Sequence, residues 1–213
     1  MNLAEGSLLD LAALGRTKVA SQPFDHLIVP GFIPAVGLHQ VERDFPRIDK
    51  AGSFPLSTIS GSGPTFMKLM EALQGPALRQ VIAEKFSIDL SGRPTMVTVR
   101  GRCRRKDGQI HVDSKDKIIT VLLYLNESWG DEGGRLRLLR NSDNLDDYAV
   151  EVPPDAGTML AFRCTPEAWH GHKPFEGDRR VIQLNWVTSN YYVWREQARH
   201  KLSAWSKRFL SAA

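Results

Sequence analysis

From residue 95 onward the chain breaks into short β-type segments with turn residues between them. Residues 96–102 alternate apolar and polar positions, and 117–126 form a buried strand rich in Ile, Val and Leu. Residues 134–140 alternate again, with Leu136 and Leu138 on one face and Arg135 and Arg137 on the other. Segments 148–152, 158–163 and 181–187 complete the set. Strands this short, punctuated this often, build an antiparallel sandwich or barrel.

The first 94 residues have a different rhythm. Residues 7–14 read as a helix with Leu8, Leu9, Leu11 and Leu14 to one side. A short strand over 24–29 runs into the Pro30-Gly31 turn, and a helix follows over 35–45 with Val36, Leu38, Val41 and Phe45 at helical spacing. Residues 51–64 are rich in Gly, Ser and Pro and read as a loop, a candidate lid. Helices over 65–74 and 77–86 flank Gly75-Pro76, and 190–211 reads as a basic amphipathic helix. The expectation is an α+β, mainly β single domain over 1–213. It divides into a helix-and-strand support region (1–94), a β-core (95–188) and a C-terminal helix (189–213).

Several functions are excluded early. The longest strictly apolar run, residues 121–125, is far too short to span a bilayer. Acidic residues stand in the N-terminal stretch where an export signal would be positive. Cys103 and Cys164 form no CxxC pair, which argues against a thiolate zinc site and for a reduced, cytoplasmic compartment. The net charge of +4 is mild, but Arg100, Arg102, Arg104, Arg105 and Lys106 crowd one stretch. That cluster fits a solvated strand and turn, attraction of an anionic substrate, or phosphate contacts.

Chemistry concentrates at His111-Val112-Asp113 and at His170, 57 residues after Asp113. In an extended segment residues i and i+2 share a face, so an imidazole and a carboxylate converge on one point. A distant strand can add a second imidazole. Two histidines and one carboxylate fill one face of an octahedral iron and leave three positions open. HxD alone is a weak signal, and His172 has the parity to replace His170. In the last strand Arg180, Ile182, Leu184 and Trp186 share a face that is apolar apart from Arg180. On an inward apolar face that guanidinium needs an anion such as a carboxylate; at the strand end it can instead reach solvent.

Taken together, HVD (111–113), a strand ending Tyr-Leu-Asn (124–126), Gly133-Gly134, and Trp169-His170 with Pro174 and Arg180 four and ten residues on resemble the prolyl-4-hydroxylase-type 2-oxoglutarate/iron(II) oxygenases. PFDHLIVPGFIP (23–34) is similar to the lead-in of bacterial members. The resemblance covers roughly 95–188. It implies a double-stranded β-helix (jelly-roll) core, Fe(II) on His111, Asp113 and His170, and 2-oxoglutarate with its C5 carboxylate on Arg180 and Tyr124. Thr120 shares the Tyr124 strand face and is a further candidate for cofactor binding. The resemblance also prefers His170 to His172 as the third ligand. It implies hydroxylation with dioxygen, releasing succinate and CO2, on a small-molecule or peptide substrate, with an anionic one as an option. One departure is that Gly108-Gln109-Ile110 runs directly into His111 without the aromatic residue and spacer of many members. The strand before the metal is expected to be shortened or kinked.

Two other classes compete. A cupin-like metal-dependent isomerase or hydrolase needs no inward arginine after His170. A non-catalytic metal- or nucleic-acid-binding β-barrel would use residues 100–106; nucleic acid is not the expected partner. The sequence leaves oligomerisation open. His26, His39 and His200 have no company that gives them a role.

Overall fold

The computed structural model describes residues 7–196 and residue 198. Most of the basic amphipathic helix expected over 190–211 lies outside the described residues; those from 190 to 196 are helical. The N-terminal helix, α1, spans Leu11–Arg16 and starts where Asp10 accepts a hydrogen bond from the Ala13 N–H at 2.7 Å. Helix α2 covers Ala35–Arg43. Helices α3 (Pro64–Gln74) and α4 (Pro76–Phe86) each begin with a proline at the first helical position, where a missing N–H costs nothing.

The strands are β1 (His26–Val29), β2 (Phe54–Pro55), β3 (Thr95–Cys103), β4 (Lys117–Tyr124), β5 (Leu136–Leu139), β6 (Tyr148–Val152), β7 (Met159–Arg163), β8 (His170–Gly171) and β9 (Gly177–Val187). They form an antiparallel six-stranded sheet, ordered β1-β7-β4-β9-β3-β2, and a three-stranded sheet, ordered β6-β5-β8. This is the mainly-β architecture of a double-stranded β-helix with helices packed outside it.

The large sheet has two unlike faces, and the difference positions the site. On one face Ile119, Val121 and Leu123 of β4 join Ile182, Leu184 and Trp186 of β9. They share a core with Phe66, Leu69 and Leu73 of α3 and with Leu78 and Ile82 of α4. On the other face Tyr124, Phe162 and Val181 pack with Leu136, Leu138 and Val152 of the small sheet. The apolar set of β9 therefore faces the helices, because long helices with wide apolar stripes need a fully apolar surface to cover. The mixed set, Arg179, Val181, Gln183 and Asn185, faces between the sheets.

Two details differ from the sequence expectation. Residues 51–58 are not a free lid: Phe54 and Pro55 pair with Val99 and Thr98 of β3, and a 3-10 turn follows over Leu56–Thr58. Proline, with no N–H to donate, suits such an outermost strand, so a Gly/Ser/Pro-rich stretch can still dock. Strand β8 is two residues long, too short for any periodicity to reveal it.

Candidate metal centre and its cavity

The approach to the site is set by a sharp change of direction after β3. The chain turns over 104–107, with Asp107 N–H donating to Arg104 C=O at 2.8 Å. Gly108 then adopts φ +81°, and a Cβ there would stand 2.2 Å from the His172 ring. Both the backbone angle and the close approach require glycine. The expected kink before the candidate metal ligands is thus present.

Beyond the kink, His111 pairs with β8. His111 N–H donates to His170 C=O, and His170 N–H donates to His111 C=O, both at 3.0 Å. Residues that exchange both bonds in an antiparallel bridge place their side chains on one side. The two imidazole centroids are accordingly 4.3 Å apart. Asp113 follows two residues later, and candidate ligand atoms of His111, Asp113 and His170 all lie within 4.8 Å of one another. Among the described residues no other His, Cys, Asp and Glu side chains gather in this way.

Local hydrogen bonds prepare these side chains. His111 Nδ1 lies 2.8 Å from Gln109 C=O, and His170 Nδ1 lies 2.9 Å from Ala168 C=O. A carbonyl can only accept, so both Nδ1 atoms carry the proton and both Nε2 atoms keep a lone pair for a cation. Burial, with some repulsion from His111, pushes the His170 pKa down to about 4 and keeps it neutral near pH 7. Burial works against ionised Asp113, but the Lys117 ammonium, His170 and hydrogen bonds from Lys117 and Thr120 outweigh it and hold its carboxyl below the usual range. The donors are two imidazoles and one carboxylate, a set that fits a divalent iron with open positions.

These groups line a cavity of about 190 Å³ between the sheets. Arg179 also lines it, and Tyr124 lies behind the lining, next to Arg179. Arg179 is 5% exposed and donates from Nε to Gly134 C=O at 2.8 Å, with no carboxylate partner among the described residues. Its guanidinium carbon lies 5.5 Å from the Tyr124 ring centre. The Tyr124 hydroxyl is fully buried and has no hydrogen-bond partner. Burial drives its pKa to about 12, although the neighbouring Arg179 guanidinium pulls the other way. A buried guanidinium and a buried hydroxyl, both short of partners, call for an anion between them.

Arg180 is not that anchor. It is exposed, on the helix side of β9, with its guanidinium 5.3 Å from the Phe45 ring centre. The parity that placed it inward took the apolar face of β9 for the cavity face. Arg179, nine residues after His170, takes the inward position. Thr120 lines the cavity too, but its hydroxyl donates to Asp113 Oδ2 at 2.5 Å and accepts from the Asn185 side-chain amide at 2.7 Å. Thr120 is thereby engaged with Asp113 and Asn185. His172 is buried in the cavity wall and outside the ligand trio; burial, then Arg179, take its pKa to about 4. A bulge between Arg100 and Arg102 breaks the shared parity of the arginine cluster. Arg100 alone lines the cavity, held by Asp107 at 2.7 Å and Ser53 at 3.1 Å. Arg102 turns outward to Asp178. The sequence reading missed Arg179, Lys117 and Asn185; only knowledge of which β9 face meets the small sheet would have shown the first and last.

Fold and site together give a jelly-roll core with a candidate metal centre beside a buried, basic cavity wall. The family model of the 2OG-Fe(II) oxygenase superfamily matches residues 101–188, which hold the whole candidate ligand set. The superfamily likeness applies to this part of the chain, which is less than half of it. No curated protein matches the chain. Among solved structures, a Pseudomonas putida prolyl-4-hydroxylase is similar at TM-score 0.57 and 17% identity, covering 84% of this chain and 99% of its own. HygX from Streptomyces hygroscopicus, with nickel and 2-oxoglutarate bound, gives 0.52 and 16% over 78% of this chain and 82% of its own. A Trichoplax adhaerens prolyl hydroxylase, in complex with a hypoxia inducible factor peptide fragment, gives 0.53 and 19% over 81% and 86%. At these identities the likeness is one of fold.

The imidazoles set a pH dependence. In the unfolded chain His170 takes a proton near pH 6.5; in the fold it does not until about 4. Its contribution to stability is constant above pH 6.5 and is lost as pH falls towards 4. Between pH 6.5 and 5 the metal-free protein should lose roughly 2 kcal/mol from His170 alone, with His172 acting in the same direction. Urea unfolding across that range measures it. A flat profile would mean that His170 accepts its proton within the fold.

Proposed function

We propose that His111, Asp113 and His170 hold Fe(II), and that Arg179 and Tyr124 hold the distal carboxylate of 2-oxoglutarate. The observation that carries this reading is the pairing of a buried guanidinium that has no acidic partner with a buried hydroxyl that has none at all. Bound iron, 2-oxoglutarate and dioxygen would supply the oxidising power: one oxygen atom enters succinate, the other a substrate C–H bond, and CO2 leaves. The residues of the chain do the rest. Gln109 and Ala168 carbonyls fix the two imidazoles, and Thr120 and Asn185 fix the carboxylate. Leu122, Leu136, Phe162 and Val181 give the co-substrate dry walls, which strengthens the charge contacts at its ends.

The substrate class follows from what remains uncovered. With Arg179 committed to 2-oxoglutarate, the other charged side chains on the cavity wall are Arg100, Lys117 and Asp113. The first two favour a substrate that carries a carboxylate or another anionic group, either a small molecule or a peptide side chain. A peptide is consistent with the Trichoplax relative and its bound fragment. Both cysteines are free and no helix among the described residues is long and apolar enough to cross a membrane, which suits work in a reducing compartment such as the cytoplasm.

Succinate release tests both parts. Arg179→Ala should raise the KM for 2-oxoglutarate by roughly tenfold or more, as expected for a lost charged hydrogen bond, while Arg180→Ala should leave it within about twofold. The reverse pattern would return the anchor to Arg180. In a substrate screen, carboxylates should stimulate succinate release more than their matched amides; a preference for the amides would sink the anionic assignment.

A further inference from the structure

Both carboxylate oxygens of Asp113 are already engaged. Oδ2 accepts the Thr120 hydroxyl, which Asn185 fixes from behind. Oδ1 accepts Lys117 Nζ at 2.6 Å. The pair is sheltered, with the Lys117 side chain 13% exposed and that of Asp113 7%. These two partners are not equivalent. Thr120 is a short neutral side chain locked between two groups. Lys117 is a charge on a flexible four-carbon stem at the start of β4, and it also lines the cavity. The oxygen that can be released is therefore Oδ1.

We propose that Lys117 and the metal compete for Asp113 Oδ1. In the metal-free protein the ammonium is the partner of the carboxylate; when a divalent cation takes that oxygen, the ammonium swings into the cavity. The inference rests on the assignment of Asp113 as a ligand. Two consequences follow from electrostatics. The buried Asp113 charge never stands alone, which protects the metal-free fold. Metal affinity is also lower than the three ligands alone would give, because the ion pair must open and two cations then share a poorly screened cavity. If Lys117 merely clamped Asp113 in a useful orientation, its removal would weaken metal binding instead.

Mn(II) binding to the metal-free protein, followed by calorimetry, separates the two roles. Lys117→Met should bind Mn(II) about tenfold tighter than the unaltered chain or better. Lys117→Arg, which keeps the charge, should stay within about threefold. The Met variant should also melt at a lower temperature without metal and gain more from added Mn(II). Lys117→Gln serves the same purpose should the Met variant fail to fold. Equal or weaker binding by the neutral variants overturns the competition. If folded protein takes up no Mn(II) in any form, Asp113 is not a ligand, and both this inference and the proposed iron site fall.

Discussion

Two backbone hydrogen bonds between His111 and His170 hold together segments 59 residues apart, and the candidate centre depends on them. They do more than bring two imidazoles close. By exchanging both bonds, the two residues also fix which side of the ribbon each ring occupies. The carbonyls two residues upstream then choose the tautomer, so ring position and proton position come from the same short stretches of backbone. Gly108 is the hinge that lets the chain leave β3 and enter this pairing, and its missing side chain is the space that His172 fills.

The large sheet assigns the remaining roles by giving its faces to different partners. One face is surrendered to α3 and α4 and is apolar apart from Arg180 at the end of β9. The other must carry the chemistry, and so it is mixed: Thr120, Leu122 and Tyr124 on β4 face Arg179, Val181, Gln183 and Asn185 on β9. Thr120 and Asn185 are fixed as a pair across neighbouring strands next to Asp113, and Arg179 and Tyr124 stand together at the other end of the same strands. A co-substrate with a chelating end and a charged tail matches that arrangement.

Much of the fold was legible in the sequence. The strand pattern after residue 95 and the helices before it follow from local spacing, because each depends on side-chain period; the HxD pair follows from strand parity, while the choice of His170 over His172 came from the family resemblance. Arg180 shows where that kind of reasoning stops. Period alone sorts β9 into two faces but cannot say which one meets the helices, and the more apolar face was taken as the interior of the site when it was the interior of the helix layer. Thr120 was placed on the correct face, yet its partner, Asn185, lies on another strand. Lys117 looked like the polar start of a buried strand. Its contact with Asp113 is only four residues long in sequence, but it depends on how the intervening turn folds back.

The central claim is that a metal on His111, Asp113 and His170 shares one cavity with 2-oxoglutarate anchored at Arg179 and Tyr124. Visible absorption under anaerobic conditions tests it most directly, since a 2-oxo acid chelating ferrous iron produces a charge-transfer band that neither component shows alone. The account predicts that the band appears when Fe(II) and 2-oxoglutarate are both added, and that succinate, which lacks the keto oxygen, cannot replace 2-oxoglutarate. No band with both present, or an equal response to succinate, would contradict it.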